Sequence, residues 1–165
     1  MEDAMRSTGA LPRLALALLL TGVAVHGSAG MADAGGRKFY LTPGEFPASQ
    51  APTSCDKKFH MASLWEILDP SNLEYDTRRG FNNADSGSGP PANTFGWIRT
   101  GGPATTGNPG SGAANCNAWA SVAAADSGTV VELSQGWNGQ ANVGSPWNAD
   151  TEPCDNLFRV WCVEN

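Results

Sequence analysis

Histidine and charge are what this chain has least of. It carries 2 His in 165 residues, and Asp, Glu, Lys and Arg together make up 16%. His26 falls at the end of an N-terminal apolar run, which leaves His60 as the one imidazole of the remainder. A Ser-His-Asp triad or a histidine-rich zinc site therefore has little to be built from. There is no Cys-x-x-Cys spacing, no Gly-x-Ser-x-Gly elbow and no P-loop pattern. Those absences argue against zinc ribbons, the α/β-hydrolase nucleophile and phosphate cradles. Basic residues are also in deficit: the net charge is −6 and no Lys/Arg stripe offsets it. Phosphate backbones would be repelled, so nucleic acid is not an expected partner.

Long apolar runs are equally scarce. The one candidate, Leu14 to Val25, is about a dozen residues, short of the ~20 a membrane span needs. Arg6 and Arg13 precede it, and the small residues Gly27, Ser28, Ala29 and Gly30 follow. That order of charge, apolar core and small residues is the pattern of an export signal. We expect residues 1–30 to be a signal peptide, 31–37 a flexible arm and 38–165 one domain without a membrane span. No cysteine follows the apolar run closely, so no lipid anchor is expected there. The location implied is secreted or extracellular, or periplasmic or cell-surface in a bacterium.

Four cysteines are present, Cys55, Cys116, Cys154 and Cys162, all beyond the signal. An even number in an oxidising compartment implies two disulfides, and four cysteines allow three pairings. Bridges across loops this long would contribute roughly 4 to 5 kcal/mol each as an upper bound.

Gly, Asn, Ser and Thr are abundant, which suits a loop-rich extracellular domain rather than a helical bundle. Lys38 to Leu41 is expected to be the first strand, ending at the Pro43-Gly44 turn. Phe59 to Ile67 is an apolar stretch. Asp69-Pro70 offers an N-cap followed by proline at the first helical position, predicting a helix over about 70–77. Phe95 to Arg99, Thr129 to Leu133 and Leu157 to Val163 have strand character. Residues 82–92, 101–115 and 135–152 read as loops. Short strands, little helix and long loops indicate an α+β fold.

The order of these pieces resembles the C-type lectin-like fold. Cys55 followed by Phe59-His60-Met61-Ala62-Ser63-Leu64 is similar to the family's first cysteine and the strand after it. Gly96-Trp97-Ile98-Arg99 resembles its "Trp-Ile-Gly-Leu" core strand. Asn115-Cys116, then Trp147-Asn148-Ala149-Asp150 ahead of Cys154, resembles the region of its "Trp-Asn-Asp" signature. Phe158 to Glu164 resembles its closing "Phe-Ile-Cys-Glu" strand. Cys116-Asn117-Ala118-Trp119 and the ending Trp161-Cys162-Val163-Glu164-Asn165 also look like endostatin, a collagen-derived module of related fold, and the whole is similar to secreted bacterial proteins of this fold. The resemblance implies α+β architecture, short strands, one or two short helices, and nested pairing of Cys55 with Cys162 and Cys116 with Cys154.

Sugar-binding members of that family hold Ca2+ through oxygen ligands of a long loop. Carried over residue by residue, the set here is Asn108, Asn148 and Asp150, with Asn115 where the family has an acid and Ala149 inserted between Asn148 and Asp150. One carboxylate does not offset the hydration Ca2+ loses, since the ion takes six to eight oxygens. No cofactor is expected. The turn from Asn82 to Gly89 lacks the alternating acids of a calcium loop, and a flexible turn is the reading preferred there.

Acid pairs such as Glu66 with Asp69, or Glu74 with Asp76, suit helix-start capping or solvation better than glycoside hydrolysis. His60 reads as a satisfied, partly buried side chain. Trp97, Trp161 and Trp65 are expected in the core, and Trp119 beside the Cys116 bridge. Trp137 and Trp147 lie in loop sequence, where they either pack as plugs, the reading favoured, or offer aromatic faces to a ligand. The functional expectation is a non-catalytic secreted module that binds an extracellular protein or carbohydrate near Trp137, Trp147, Asn148, Asp150 and Asn108. A structural, matrix-type module without a small ligand is the alternative, and an extracellular hydrolase is the least favoured.

Overall fold

Strand β7 (Arg159–Glu164) is the hub of the sheet, because its sequence Arg-Val-Trp-Cys-Val-Glu is apolar on both faces and can be covered on both. The computed structural model describes residues 36–104, 109–134 and 146–165, all within one compact unit, Asp33–Asn165. Along its second half β7 pairs antiparallel with β1 (Arg37–Leu41) and with β2 (Phe59–Met61), through Tyr40↔Cys162 and Met61↔Cys162. Along its first half it runs parallel to β4 (Gly96–Trp97). From β4 the sheet continues antiparallel to β5 (Ser127–Leu133) and then β6 (Trp147–Pro153), while β3 (Leu73–Tyr75) lies parallel to β1 at the opposite edge. The order is β3-β1-β7-β4-β5-β6, with β2 also on β7. The described fold is thus mixed α+β and mostly sheet. None of its helices is long and apolar enough to cross a membrane.

The core is aromatic at its centre. Trp97 and Trp161 are completely buried, and each satisfies its indole N–H on a backbone carbonyl: Trp97 on Phe46 at 2.9 Å and Trp161 on Val131 at 3.0 Å. Leu41, Met61, Ile98, Val130, Val160 and Val163 pack round them. Two bridges close this core, Cys55–Cys162 and Cys116–Cys154, the nested arrangement. The first links the segment before β2 to the centre of β7. The second links the turn before β5 to the end of β6.

Three expectations need correction. Residues 70–77 form no helix. The helix of this region, α1 (Leu64–Leu68), starts six residues earlier, where Ser63 and Glu66 make a reciprocal capping box. Asp69 does accept a hydrogen bond from the Ser71 N–H at 3.3 Å, but it organises only one 3-10 turn, Pro70–Asn72. The chain then leaves that turn because β1 recruits Leu73–Tyr75 as a parallel strand and buries Tyr75. Trp65 is 81% exposed rather than in the core, since α1 turns Ile67 inward and Trp65 and Leu68 outward. Residues 147–152 are strand rather than loop. Asn-Ala-Asp-Thr-Glu has little intrinsic β preference, and pairing with β5 over seven register positions overrides it.

Tight packing at the second bridge generates a test. A Cβ placed on Gly128 would lie 2.7 Å from Cys116 Sγ and 2.8 Å from the Trp97 ring. Neither can move, one being cross-linked and the other enclosed. Gly128→Ala should therefore lower stability by about 1–3 kcal/mol, the usual cost of overpacking. Urea unfolding measures it, and an unchanged midpoint would show that the β5 surface is not packed in this way.

Candidate functional site

The residues singled out near the Trp-Asn-Ala-Asp run converge on the ribbon formed by β5 and β6. Alternation along a strand places Asn148, Asp150 and Glu152 on one face and Trp147, Ala149 and Thr151 on the other. The register sets Glu132 opposite Asn148, so Glu132, Asn148 and Asp150 share a face. Asn148 is half-buried and Asp150 exposed. Burial raises the Glu132 carboxyl above the ordinary glutamate range. The Asn148 amide opposes the rise and the charge of Asp150 adds to it.

Trp147 faces the other way. It is 9% exposed and packs edge-on against Trp161 with ring centroids 5.2 Å apart, so its indole plugs the core rather than offering a face to solvent. Trp137 and Asn108 lie outside the described residues. Asn115 is buried as a structural brace: its Nδ2 donates to the carbonyls of Gly102 and Pro103, both at 3.0 Å, and its Oδ1 accepts from the Ala118 N–H at 3.1 Å. Among the described residues no group of three or more His, Cys, Asp or Glu side chains is placed to share a metal ion. The three carboxylates of the ribbon, Glu132, Asp150 and Glu152, are not gathered as Ca2+ coordination requires.

At the far end of the same ribbon lies an open cleft of about 400 Å3, lined by Pro109, Ala124, Asp126, Ser127, Thr151, Glu152 and Pro153 among others. Sequence reading did not find it, because it gathers short loop pieces that are distant along the chain. Its carboxylates sit among prolines and hydroxyls.

The other polar constellation surrounds Glu66. Its carboxylate accepts from Ser63 N–H at 3.0 Å, Ser63 Oγ at 2.9 Å and Arg37 at 3.1 Å, and lies 3.0 Å from His60 Nε2. His60 Nδ1 is 2.8 Å from Asn165 Oδ1. Both ring nitrogens of His60 thus have partners, as do both oxygens of Glu66. The cluster ties α1 to β1, β2 and the residue after β7. It is built as a brace. The capping signature Ser63-x-x-Glu66 was legible in the sequence and could have located this helix.

No protein-family model, no curated protein and no solved structure matches this chain. The ribbon, the cleft and the brace therefore have to be read from their own chemistry.

The brace has a defined pH signature. Burial pushes the Glu66 carboxyl up, but hydrogen bonds from the Ser63 backbone and hydroxyl and from Arg37, with the charge of His60, outweigh it and hold it below the ordinary glutamate range. A carboxyl whose folded pKa is depressed stabilises the fold at pH values above its unfolded pKa. That contribution is lost as pH falls through the folded value. Glu66→Gln should cost about 1–3 kcal/mol at neutral pH, as expected for charged hydrogen bonds. The gap to wild type should close as the pH is taken below the ordinary glutamate range. Denaturant titrations at several pH values check this, and a pH-independent gap would sink it.

Proposed function

We propose that this chain is a secreted recognition module of the C-type lectin-like kind, which binds an extracellular protein or glycan without catalysis and without a calcium site. The observation that carries the reading is the β5–β6 ribbon. Seven register pairs, the Cys116–Cys154 bridge at one end and the edge-on Trp147–Trp161 contact at the other hold it rigid. On that support Asn148 is half-buried and Asp150 exposed. A rigid support for polar groups lowers the ordering cost of binding.

Further features support the reading. The disulfide pairing is the nested one that the family resemblance implies, and β1 lies beside the final strand β7. His60 and Glu66, two of the residues weighed for a hydrolase, are engaged in the brace. With net charge −6, a neutral or basic ligand surface suits the ribbon better than a polyanion. The burial of Trp147 favours the second reading, a structural module of matrix type, because it removes one of the two aromatic faces that a sugar could stack upon.

Glycan arrays and pull-downs of extracellular proteins with the full chain distinguish the two. Recognition predicts a bound glycan or protein whose affinity survives a calcium chelator and falls at least tenfold in Asn148→Ala/Asp150→Ala. Because Asp150 is exposed and Asn148 half-exposed, the variant should keep its melting temperature within a few degrees. Binding abolished by chelator would overturn the calcium-free reading. Undiminished binding by the double variant would remove the ribbon as the site. Silence across both screens would leave the structural module.

A further inference from the structure

The backbone from Cys116 to Trp119 winds the wrong way. Four successive non-glycine residues have positive φ: Cys116 at 49°, Asn117 at 53°, Ala118 at 55° and Trp119 at 66°. Residues with a Cβ visit this left-handed basin singly, because the Cβ crowds the following carbonyl, and runs of them are not stable on their own. A run of four therefore persists only because its surroundings impose it. Ala118 is exposed and Asn117 half-buried, so packing at those two positions does not account for it.

Three restraints are visible. Asn115 braces the turn from inside, its Oδ1 accepting from Ala118 N–H while its Nδ2 holds Gly102 and Pro103. The Trp119 ring stands edge-on to Trp97 with centroids 5.8 Å apart. The third restraint is covalent, the Cys116–Cys154 bond at the first left-handed residue. Its other half is well anchored: the Cys154 N–H donates to Asp126 O at 3.0 Å, and its carbonyl accepts from Ala48 N–H at 3.2 Å.

We propose that the Cys116–Cys154 disulfide is a reducible latch on this strained turn, and that a dithiol reductant opens it while Cys55–Cys162 still holds the sheet. In the step the S–S bond breaks and two electrons and two protons pass to the sulfurs of Cys116 and Cys154. The dithiol is oxidised to its own disulfide. Freed of the bond, residues 116–119 relax to right-handed or extended backbone, Asn115 lets go of Gly102 and Pro103, and Trp119 leaves Trp97.

One effect makes this the weaker bond at equilibrium. Breaking it releases the backbone strain of four successive left-handed residues, and strained bridges are the labile ones. Access acts in the opposite sense, since Cys116 and Cys154 are fully buried whereas Cys55 is half-buried. Burial slows attack on the latch without moving its equilibrium.

The test is an equilibrium redox titration of the full chain in graded ratios of reduced to oxidised dithiothreitol, quenched by alkylation and mapped by peptide mass spectrometry. Cys116 and Cys154 should become alkylated at a ratio at least tenfold lower than Cys55 and Cys162. The tryptophan near-UV signal should change at that ratio while the far-UV strand signal stays. The variant Asn117→Gly/Ala118→Gly removes the crowding without touching a cysteine and should need a reductant ratio roughly tenfold higher than wild type to open the same bond. The latch is overturned if the two bonds open together, if Cys55–Cys162 opens first, or if opening Cys116–Cys154 alone melts the sheet. It is equally overturned if the glycine variant titrates at the wild-type ratio.

Discussion

Cys162 sits where three strands meet, and most of the molecule hangs on that junction. Its residue pairs with Tyr40 on one side and Met61 on the other, and its sulfur is bonded to Cys55. Because β7 is covered on both sides, its apolar residues are removed from water completely, which is the largest favourable term available to a chain with so little regular structure. The disulfide then limits how far the unfolded chain can separate segments that are 107 residues apart. Loops as long as those between β3 and β4 remain ordered because their ends are fixed on this centre rather than because they bury much surface of their own.

The polar groups divide by task around that centre. Near the chain ends, Arg37, His60, Ser63, Glu66 and Asn165 join α1 to the sheet and use up one another's hydrogen bonds. Tyr75 acts similarly at the edge, its hydroxyl donating to Phe81 O at 2.6 Å, and burial pushes its pKa up to about 12, so it stays a donor. On the β5–β6 side the carboxylates are less fully paired, with Glu132 and Asp150 repelling each other across the ribbon. Unsatisfied repulsion on a rigid surface is where a partner has something to gain. That contrast, rather than any motif, separates the side of the molecule proposed to bind from the side that holds it together.

Where the sequence misled, it did so through short-range signals that lost to longer-range ones. Asp69-Pro70 is a sound helix start, yet it produced one turn because β1 offered Leu73–Tyr75 a strand to pair with. Trp65 looks like core by residue type, but the phase of α1 is set by the capping box, and that phase points it outward. The left-handed turn at Cys116 has no residue signature at all, since glycine, the usual marker, is missing from it. The ribbon carrying Asn148 and Asp150 was legible as a place but not as a strand.

Composition and order along the chain determined the class of molecule: few charges, four cysteines and β-branched or aromatic segments leave little besides a disulfide-bound α+β domain. Those are local or additive properties, readable one residue or one segment at a time. Which strand turns inward, which way Trp65 faces and which groups meet at Glu66 are decided by contacts between residues tens of positions apart. Such contacts depend on the simultaneous closure of the whole sheet, so only the tertiary structure could assign them.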